Sequence, residues 1–530
     1  MGSKPSRREA RKPAHSRRDV RRYGAVKRSP FAALASFGIL SRVRRLLIVV
    51  TSLQLSLSSC VHNRCATAPP PVALGVPAAL ESHAACGVLR AWLAAVDDDA
   101  GVAAFYAKFH GSWPKGGPPL DKLRDDFAQI RDETAGFVPR HIVDESSCAV
   151  AAQKRSDGLW SKLELPKQAP AGLYDWFPML PEGEDAPAPR DDVDRVQKIG
   201  AFIDALAARD RFSGTIVIVH RGKVLVENAW GLASRAWSAP VRLDTRFSLG
   251  SINKMFTAVS ILQLTEKGKV SLDDTVGKWL PDWPNADVRE KATVRMLLTH
   301  SSGLGSYWND EFEKRKLKIR APADYFPTFS QEPLQFAPGA RFGYSNAGFI
   351  VLGAIVEKAS GEDYFEYVRR HVFAPSNMSQ TDWPDLSEDL PNHAVGYTHT
   401  AADRRPDLSR WHNNNAFFVV KGGPAGGGYS TSSDLVRFGE ALVSAKLLRP
   451  ETYAQMSARQ IEIGDSGYGF GMGRYEARGT VFVGLSGRSP GFNAALNISQ
   501  DGQWIFAVMT NTDYGAGAAT AYLRDIVTRH

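Results

Sequence analysis

The sequence predicts a mixed α/β (α+β) fold in which one antiparallel sheet is flanked by helices and interrupted by a large helical insertion. Two strand-like stretches, 213–220 and 223–230, are joined by Arg221-Gly222, which is typical of a β-hairpin. Three more strand-like stretches lie near the end of the chain, at 479–483, 492–498 and 504–511. The residues between the two groups are mainly helical in pattern. Strands from both ends therefore share one sheet, and a pocket is expected where this sheet meets the helical part.

Composition divides the chain into five segments. Residues 1–60 form a basic leader, and the Ala/Pro-rich residues 61–83 have the composition of a linker. Residues 84–182 combine three helical stretches with three strand-like stretches, which predicts a small α+β domain whose layout resembles cystatin-like domains. A second linker covers 183–192, and residues 193–530 contain the sheet with its helical insertion.

The positive charge of the chain is confined to its N-terminal segment. The formal net charge is +9, yet residues 1–45 alone hold 14 Lys/Arg against two acidic residues. The remainder carries 51 Lys/Arg and 54 Asp/Glu, a net charge of −3. Because the folded body is slightly acidic, no nucleic-acid partner is expected.

The leader has the pattern of an export signal. Arg42, Arg44 and Arg45 precede an apolar run at 46–57, which is shorter than the apolar stretch that a membrane-spanning helix requires. The following Leu57-Ser58-Ser59-Cys60 resembles the bacterial lipobox, and this resemblance implies a lipidated Cys60 that anchors the protein to a membrane. The expected location is the bacterial cell envelope, on the periplasmic side. An ordinary secretory signal or a weak membrane anchor are the alternatives.

Cysteine and histidine usage argues against metal or thiol chemistry in the larger domain. The four cysteines are Cys60, Cys65, Cys86 and Cys148. If Cys60 carries lipid, Cys86–Cys148 is the favoured disulfide, although the sequence does not fix the pairing. None of the 12 histidines has metal-ligand spacing, so neither a metal nor a cofactor is expected. His300 is expected to pack within its loop.

Ser251 and Lys254 form a candidate nucleophile pair. Two residues three positions apart on a helix project from the same face, and an amine beside a hydroxyl can activate it if its pKa is held low. Ser112 and Lys115 have the same spacing, but Pro114 and the following Gly/Pro residues place them in a loop. The alternative for the first pair is a helix-capping serine followed by a solvated lysine.

Three further motifs connect this pair to a family. They are the stretches 297–304 (LLTHSSGL), 336–355 with Tyr344-Ser345-Asn346, and 426–438. Together with Ser251–Lys254, the series resembles the serine β-lactamase-related family, which includes class C β-lactamases, D-alanyl-D-alanine carboxypeptidases and family VIII-type esterases. The resemblance implies that Ser251 is the acylated nucleophile and Lys254 its proton partner. It further implies that Tyr344 acts as or shares the general base, beside an ammonium that eases its deprotonation, and that Asn346 orients the lysine and the substrate.

The family's last element, a Lys/His/Trp-x-Gly triplet, corresponds to Leu485-Ser486-Gly487. By resemblance, Ser486 and Gly487 help to orient the substrate, and the backbone N–H groups of Ser251 and Arg488 form the oxyanion hole. Leu485 stands where the family has a side chain that binds a carboxylate, and Arg488 is the alternative cation for that role. The implied function is therefore an exported serine hydrolase that forms an acyl-enzyme with an ester or amide, of small-molecule or peptide origin, and turns over β-lactams weakly.

A non-enzymatic alternative follows from the same leucine. A catalytically impaired protein of this fold could bind cell-wall peptides without hydrolysing them. Retention of Ser251, Lys254, Tyr344 and Asn346 argues against this alternative, because a binding protein needs no proton shuttle.

Overall fold

The structure is a computed structural model in which the chain divides into two units, residues 1–74 and 75–530. It describes residues 86–112, 119–134, 136–144, 149–154, 160–164, 175–178 and 187–530, the last range without 388, 403–409, 418, 464–465 and 514. The predicted leader with Cys60, the linker 61–83 and Cys148 lie outside the described residues. Among the helices that it describes, none is long and apolar enough to cross a membrane.

The described residues between 87 and 178 form three α-helices, a short 3₁₀ helix (His110–Ser112) and a four-stranded antiparallel sheet. The α-helices and strands are α1 (Gly87–Asp97), α2 (Asp99–Phe109), α3 (Leu120–Thr134), β1 (Phe137–Asp144), β2 (Ala149–Lys154), β3 (Trp160–Glu164) and β4 (Asp175–Pro178). The strands pair in sequence order. Buried Trp92 packs on Phe127 and Phe137, with ring centroids 5.9 and 5.8 Å away, so the helices cover the sheet through one aromatic cluster. The short strand β4 was not predicted.

Cys86 precedes α1, is fully buried and is disulfide-bonded. Because the other three cysteines lie outside the described part of the chain, the pairing with Cys148 stays a prediction. The segment boundaries at 61–83 and 183–192 likewise stay predictions.

An eight-stranded antiparallel sheet forms the centre of the larger part. Its elements outside the insertion are α4 (Asp192–Ala208), β5 (Gly214–His220) and β6 (Lys223–Trp230), then β13 (Ile461–Ile463), β14 (Ser466–Tyr468), β15 (Gly473–Ala477), β16 (Thr480–Ser489), β17 (Phe492–Ser499), β18 (Trp504–Thr510) and α14 (Gly515–Thr528). The strand order is β13-β14-β15-β16-β17-β18-β5-β6. Val508 of β18 pairs with Ile216 of β5, so the predicted joining of both ends in one sheet is confirmed.

Apolar residues on both faces bury the sheet between two helical layers. In β5, Ile216 and Ile218 belong to a core shared with α4 and α14, whereas Val217 and Val219 belong to the core of the helical insertion. This alternation follows from the two-residue period of a strand. The predicted fold, an antiparallel sheet with helices on both sides, is confirmed.

The insertion between β6 and β13 is mainly helical, as predicted. Its strands are β7 (Leu232–Ser234), β8 (Ala239–Pro240), β9 (Phe247–Ser248), β10 (Tyr397–Thr398), β11 (His412–Asn413) and β12 (Tyr429–Ser430). Its α-helices are α5 (Asn253–Glu266), α6 (Val276–Trp279), α7 (Ala286–Lys291), α8 (Val294–Leu298), α9 (Asp310–Arg315), α10 (Asn346–Ser360), α11 (Tyr364–Val368), α12 (Ser432–Val443) and α13 (Pro450–Ser457). Helix α5 is buried from Asn253 to Leu264, because α10 and α11 pack against it and Phe256 contacts the rings of Phe373 and Phe438.

Candidate active site

Ser251 lies in a single 3₁₀ turn, Gly250–Ile252, that connects β9 to α5. Gly250 has φ of +48°, a conformation in which a β-carbon is strained, and a β-carbon placed there would lie 2.6 Å from the Arg488 nitrogen. Glycine therefore lets the turn sit directly on β16. As a result Ser251 stands at the first turn of the helical segment, facing a cavity, and Lys254 follows one turn later inside the protein.

Lys254 is completely buried, and its amine is within hydrogen-bond distance of three oxygen atoms. Its Nζ lies 2.8 Å from Asn346 Oδ1, 2.7 Å from the Ala425 carbonyl oxygen and 3.2 Å from Ser251 Oγ. Within the described part of the chain, no carboxylate lies within salt-bridge distance of this amine. Because burying an ion without a counter-ion costs on the order of several kcal/mol, desolvation moves the Lys254 pKa well below its usual value. The structure thus favours the neutral amine.

A neutral Lys254 fixes the direction of the hydrogen bonds around Ser251. The amine has two hydrogens and one lone pair, and the carbonyl oxygens of Asn346 and Ala425 can only accept. Both hydrogens therefore point to these oxygens, and the lone pair remains for the Ser251 hydroxyl. Tyr344 Oη donates to Ser251 Oγ at 2.7 Å, so the serine oxygen lies between the phenol and the amine.

Tyr344 keeps its proton in this arrangement. Loss of hydration in the site raises its pKa to about 12, and the hydrogen bond to Ser251 opposes that shift only in part. Burial disfavours both the ammonium on Lys254 and the phenolate on Tyr344, and the role of Tyr344 as general base, which the resemblance implies, stays a prediction. The side chain still exposes 43% of its surface, so its hydroxyl is reachable from the cavity that it lines.

The N-terminus of α10 holds Tyr344 and Asn346 in place. Ser345 is the capping residue, whose Oγ accepts the Gly348 N–H at 2.8 Å and donates to the Gly305 carbonyl at 2.9 Å. Asn346 Nδ2 donates to Ser306 Oγ at 3.3 Å, which turns Oδ1 toward Lys254. One capped helix end therefore supplies both the phenol and the amide of the site.

The backbone of β16 lies against the Ser251 turn. A β-carbon at Gly487 would be 1.8 Å from the Leu249 carbonyl and 3.0 Å from the Ser251 nitrogen. Ser489 and Phe492 are the last paired residues before the turn of the β16–β17 hairpin. Successive residues of an antiparallel strand point their N–H groups to opposite sides, so the Arg488 N–H points away from β17 and toward Gly250. The nitrogens of Ser251 and Arg488 thus lie at the same junction, as expected for a pair of oxyanion donors.

The site opens into a cavity of about 280 Å³. Ser251, Tyr344, Asn346 and Arg488 all line it, and Arg488 is the one charged residue among the lining side chains described. Aromatic rings supply much of the wall: Tyr307, Trp308, Tyr325, Tyr344, Phe417, Tyr429 and Phe492. Of these seven residues, the sequence motif identified only Tyr344. The other six were missed, because they come from distant loops and strands and form no local pattern.

None of the three residues of the predicted triplet lines the cavity. Leu485 is 6% exposed and packs in the core, and Ser486 is exposed but does not belong to the lining. Their neighbour Gly487 contributes through its backbone contact with Leu249. No cluster of metal-ligating side chains occurs among the residues that the structure describes.

The fold and this site define a protein of the serine β-lactamase and penicillin-binding-protein class. A family model described as Beta-lactamase matches residues 199–528, and the chain belongs to that family. The putative penicillin-binding protein PbpX of Bacillus subtilis (strain 168) is 31% identical over 328 residues, 61% of this chain and 76% of that protein. Esterase EstB of Burkholderia gladioli is 30% identical over 386 residues, 62% of this chain and 94% of the esterase.

A solved structure agrees with these matches. The crystal structure of a penicillin binding protein from Bacillus halodurans aligns with a TM-score of 0.55 at 29% identity, covering 61% of this chain and 98% of that one. The family resemblance and the fold class predicted from the sequence are therefore confirmed.

Close backbone packing at Gly487 yields a testable consequence. Gly487→Ala forces the Ser251 turn away from β16, so we expect a stability loss of about 1–3 kcal/mol and strongly reduced reaction of Ser251 with an acyl probe. Gly517→Ala is the matched control, because nothing lies within 4 Å of a β-carbon there. Denaturant unfolding and probe labelling measure both effects; a Gly487→Ala protein that labels like the control would contradict the assignment.

Proposed function

We propose that this protein is a serine hydrolase that cleaves esters, and more slowly amides, through an acyl-enzyme on Ser251. The observation that supports it most is the hydrogen-bonded chain Tyr344 Oη, Ser251 Oγ, Lys254 Nζ, in which the central oxygen lies 2.7 Å from the phenol and 3.2 Å from the amine. A hydroxyl between a buried neutral amine and a protonated phenol has both a proton acceptor and a proton donor within reach.

In the proposed mechanism, Lys254 is the base and Tyr344 the acid. Ser251 Oγ attacks the substrate carbonyl carbon while its proton passes to Lys254 Nζ. The oxyanion so formed accepts hydrogen bonds from the Ser251 and Arg488 N–H groups. Tyr344 then gives its proton to the leaving-group oxygen as the ester bond breaks, and the Lys254 ammonium restores the proton on Tyr344.

Deacylation repeats the same steps with water. A water molecule attacks the acyl carbonyl carbon, and one of its protons passes to Lys254 Nζ. When the tetrahedral intermediate collapses, Ser251 leaves and regains a proton from the Lys254 ammonium. The products of the complete cycle are a carboxylic acid and an alcohol. In both steps Asn346 keeps the Lys254 amine oriented through the 2.8 Å hydrogen bond to its Oδ1.

The cavity favours a neutral, apolar acyl group. Seven aromatic rings line it, and no acidic side chain is among the lining residues described, so a substrate ammonium would find no counter-ion there. Leu485 is buried where relatives of this type carry a carboxylate-binding side chain. This supports esters as better substrates than β-lactams or D-Ala peptides, and the 30% identity to an esterase is consistent with it.

Ser251→Ala provides the test of the proposed chemistry. We expect wild type to hydrolyse p-nitrophenyl acetate and to be labelled by a fluorophosphonate probe, while Ser251→Ala does neither. Intact mass after reaction locates the adduct. If wild type behaves like Ser251→Ala, the proposed hydrolase function is wrong.

The same assay can rank substrates on the wild-type enzyme. p-Nitrophenyl esters with aromatic acyl chains should give a higher kcat/KM than nitrocefin or a D-Ala-D-Ala peptide, because most of the cavity wall is aromatic and Leu485 supplies no carboxylate-binding side chain. Phenylalanine p-nitroanilide and its N-acetyl form differ by acetylation of the amine, which removes the ammonium charge, and the acetylated form should react faster. Dominant cephalosporin turnover would refute this ranking.

The pH dependence distinguishes the roles of Lys254 and Tyr344. Catalysis needs the neutral amine, so kcat/KM should rise with pH through the lowered Lys254 pKa and then stay level until Tyr344 ionises near pH 12. Tyr344→Phe should lower kcat about 10²–10⁴-fold with the rising limb unmoved, because the base is retained. A rising limb that disappears in Tyr344→Phe would assign the base to the phenol.

We further propose that the protein is exported and anchored through a lipid on Cys60. The support is the basic and apolar sequence at 42–57 followed by Ser58-Ser59-Cys60. Expressed in a bacterial host that processes lipoproteins, wild type should fractionate with membranes and show a lipid adduct on an N-terminal Cys60. Cys60→Ala should leave the membrane fraction; unchanged fractionation and mass would contradict the proposal.

A further inference from the structure

We propose that His300, which follows α8, is a positioning residue that holds the Tyr344–Asn346 segment against Ser251 and Lys254. The inference rests on the proposed function, since Tyr344 and Asn346 act there as proton donor and lysine partner. His300 itself does not line the cavity and makes no hydrogen bond to Ser251 or Lys254. Its effect on the reaction is therefore exerted through the segment that it contacts.

His300 contacts three consecutive residues of that segment. Its carbonyl oxygen accepts the Gly343 N–H at 2.8 Å, and its Nδ1 accepts the Ser345 N–H at 3.0 Å. Between these two bonds the imidazole lies against the Tyr344 ring, with centroids 4.4 Å apart. Tyr344 is thus fixed by the hydrogen bonds of the residues before and after it and by the contact of its ring with the imidazole.

The protonation state of the imidazole follows from these contacts. Because Nδ1 accepts, the proton of the neutral ring sits on Nε2, which donates to Tyr468 Oη at 3.2 Å. A protonated ring would lose the bond to Ser345. Burial holds the His300 pKa well below its usual value, so the accepting form persists.

Packing alone does not account for histidine at this position. Ser345 is 1% exposed, so its N–H has no access to solvent and needs an acceptor within the protein. A phenylalanine would supply a ring against Tyr344 but no acceptor. Backbone geometry is a second constraint: His300 has φ of +58°, which asparagine and glycine adopt more readily than other residues.

These constraints define a matched pair of variants. His300→Asn keeps an acceptor near the Nδ1 position and tolerates the positive φ. His300→Gln places its amide near the Nε2 position, so it retains a partner for Tyr468 and loses the one for Ser345. Tyr468→Phe is the control for the opposite end of the ring, where only the Nε2 bond is lost.

The measurements are kcat and KM for a p-nitrophenyl ester and hydrogen exchange of a peptide spanning 340–350. His300→Gln should lose about 10²-fold in kcat with KM changed little, and its peptide should exchange faster, since a small displacement of a catalytic group lowers the rate strongly. His300→Asn should recover at least about tenfold of that loss and the protection. Tyr468→Phe should stay within about threefold of wild type, because the Ser345 bond remains.

The outcomes separate this inference from the proposed function. If wild type is inactive like Ser251→Ala, the proposed function fails. If wild type is active and His300→Gln matches or exceeds His300→Asn in kcat, the positioning role is overturned. Should His300→Gln not fold, His300→Gly replaces it, since glycine adopts the same φ and offers no acceptor. The same ranking against His300→Asn then decides.

Discussion

The burial of the Lys254 amine between two carbonyl oxygens is the interaction on which the site depends. Asn346 Oδ1 and the Ala425 oxygen come from the start of α10 and from the loop before β12, so Lys254 links three parts of the helical insertion. Each oxygen satisfies one hydrogen of a neutral amine, and neither can neutralise an ammonium. The same contacts that position the lysine therefore also set its protonation state, and they leave its lone pair directed at Ser251.

A second constraint is the close approach of two backbones. Gly250 and Gly487 lack β-carbons at the point where the Ser251 turn meets β16, and any side chain at either position would collide with the opposite main chain. This contact joins the helical insertion to the sheet. It also brings the backbone nitrogens of Ser251 and Arg488 close together. The proposed oxyanion hole therefore depends on the packing of the helical insertion against the sheet.

Much of the fold could be predicted because its signals are local. Period-two strands, helical periodicity and the spacing between Ser251 and Lys254 are all contained within short windows of sequence. The strand β4, with four residues, was too short to give such a signal. In the site, Tyr344 and Asn346 were found through a motif, whereas the aromatic wall and the contacts of His300 were not, because their members are far apart along the chain.

The sequence by itself determined the fold class, the pairing of strands from both ends of the larger domain in one sheet, and the motif residues Lys254, Tyr344 and Asn346 that lie beside Ser251. Only the tertiary structure decided the direction in which their pKa values shift: complete burial lowers the Lys254 pKa well below its usual value, and desolvation raises the Tyr344 pKa to about 12. It likewise placed Leu485 in the core instead of the cavity. The physical reason is the same in each case. The sequence specifies residue identity and spacing, whereas the hydration and burial of each group depend on how the rest of the chain packs around it.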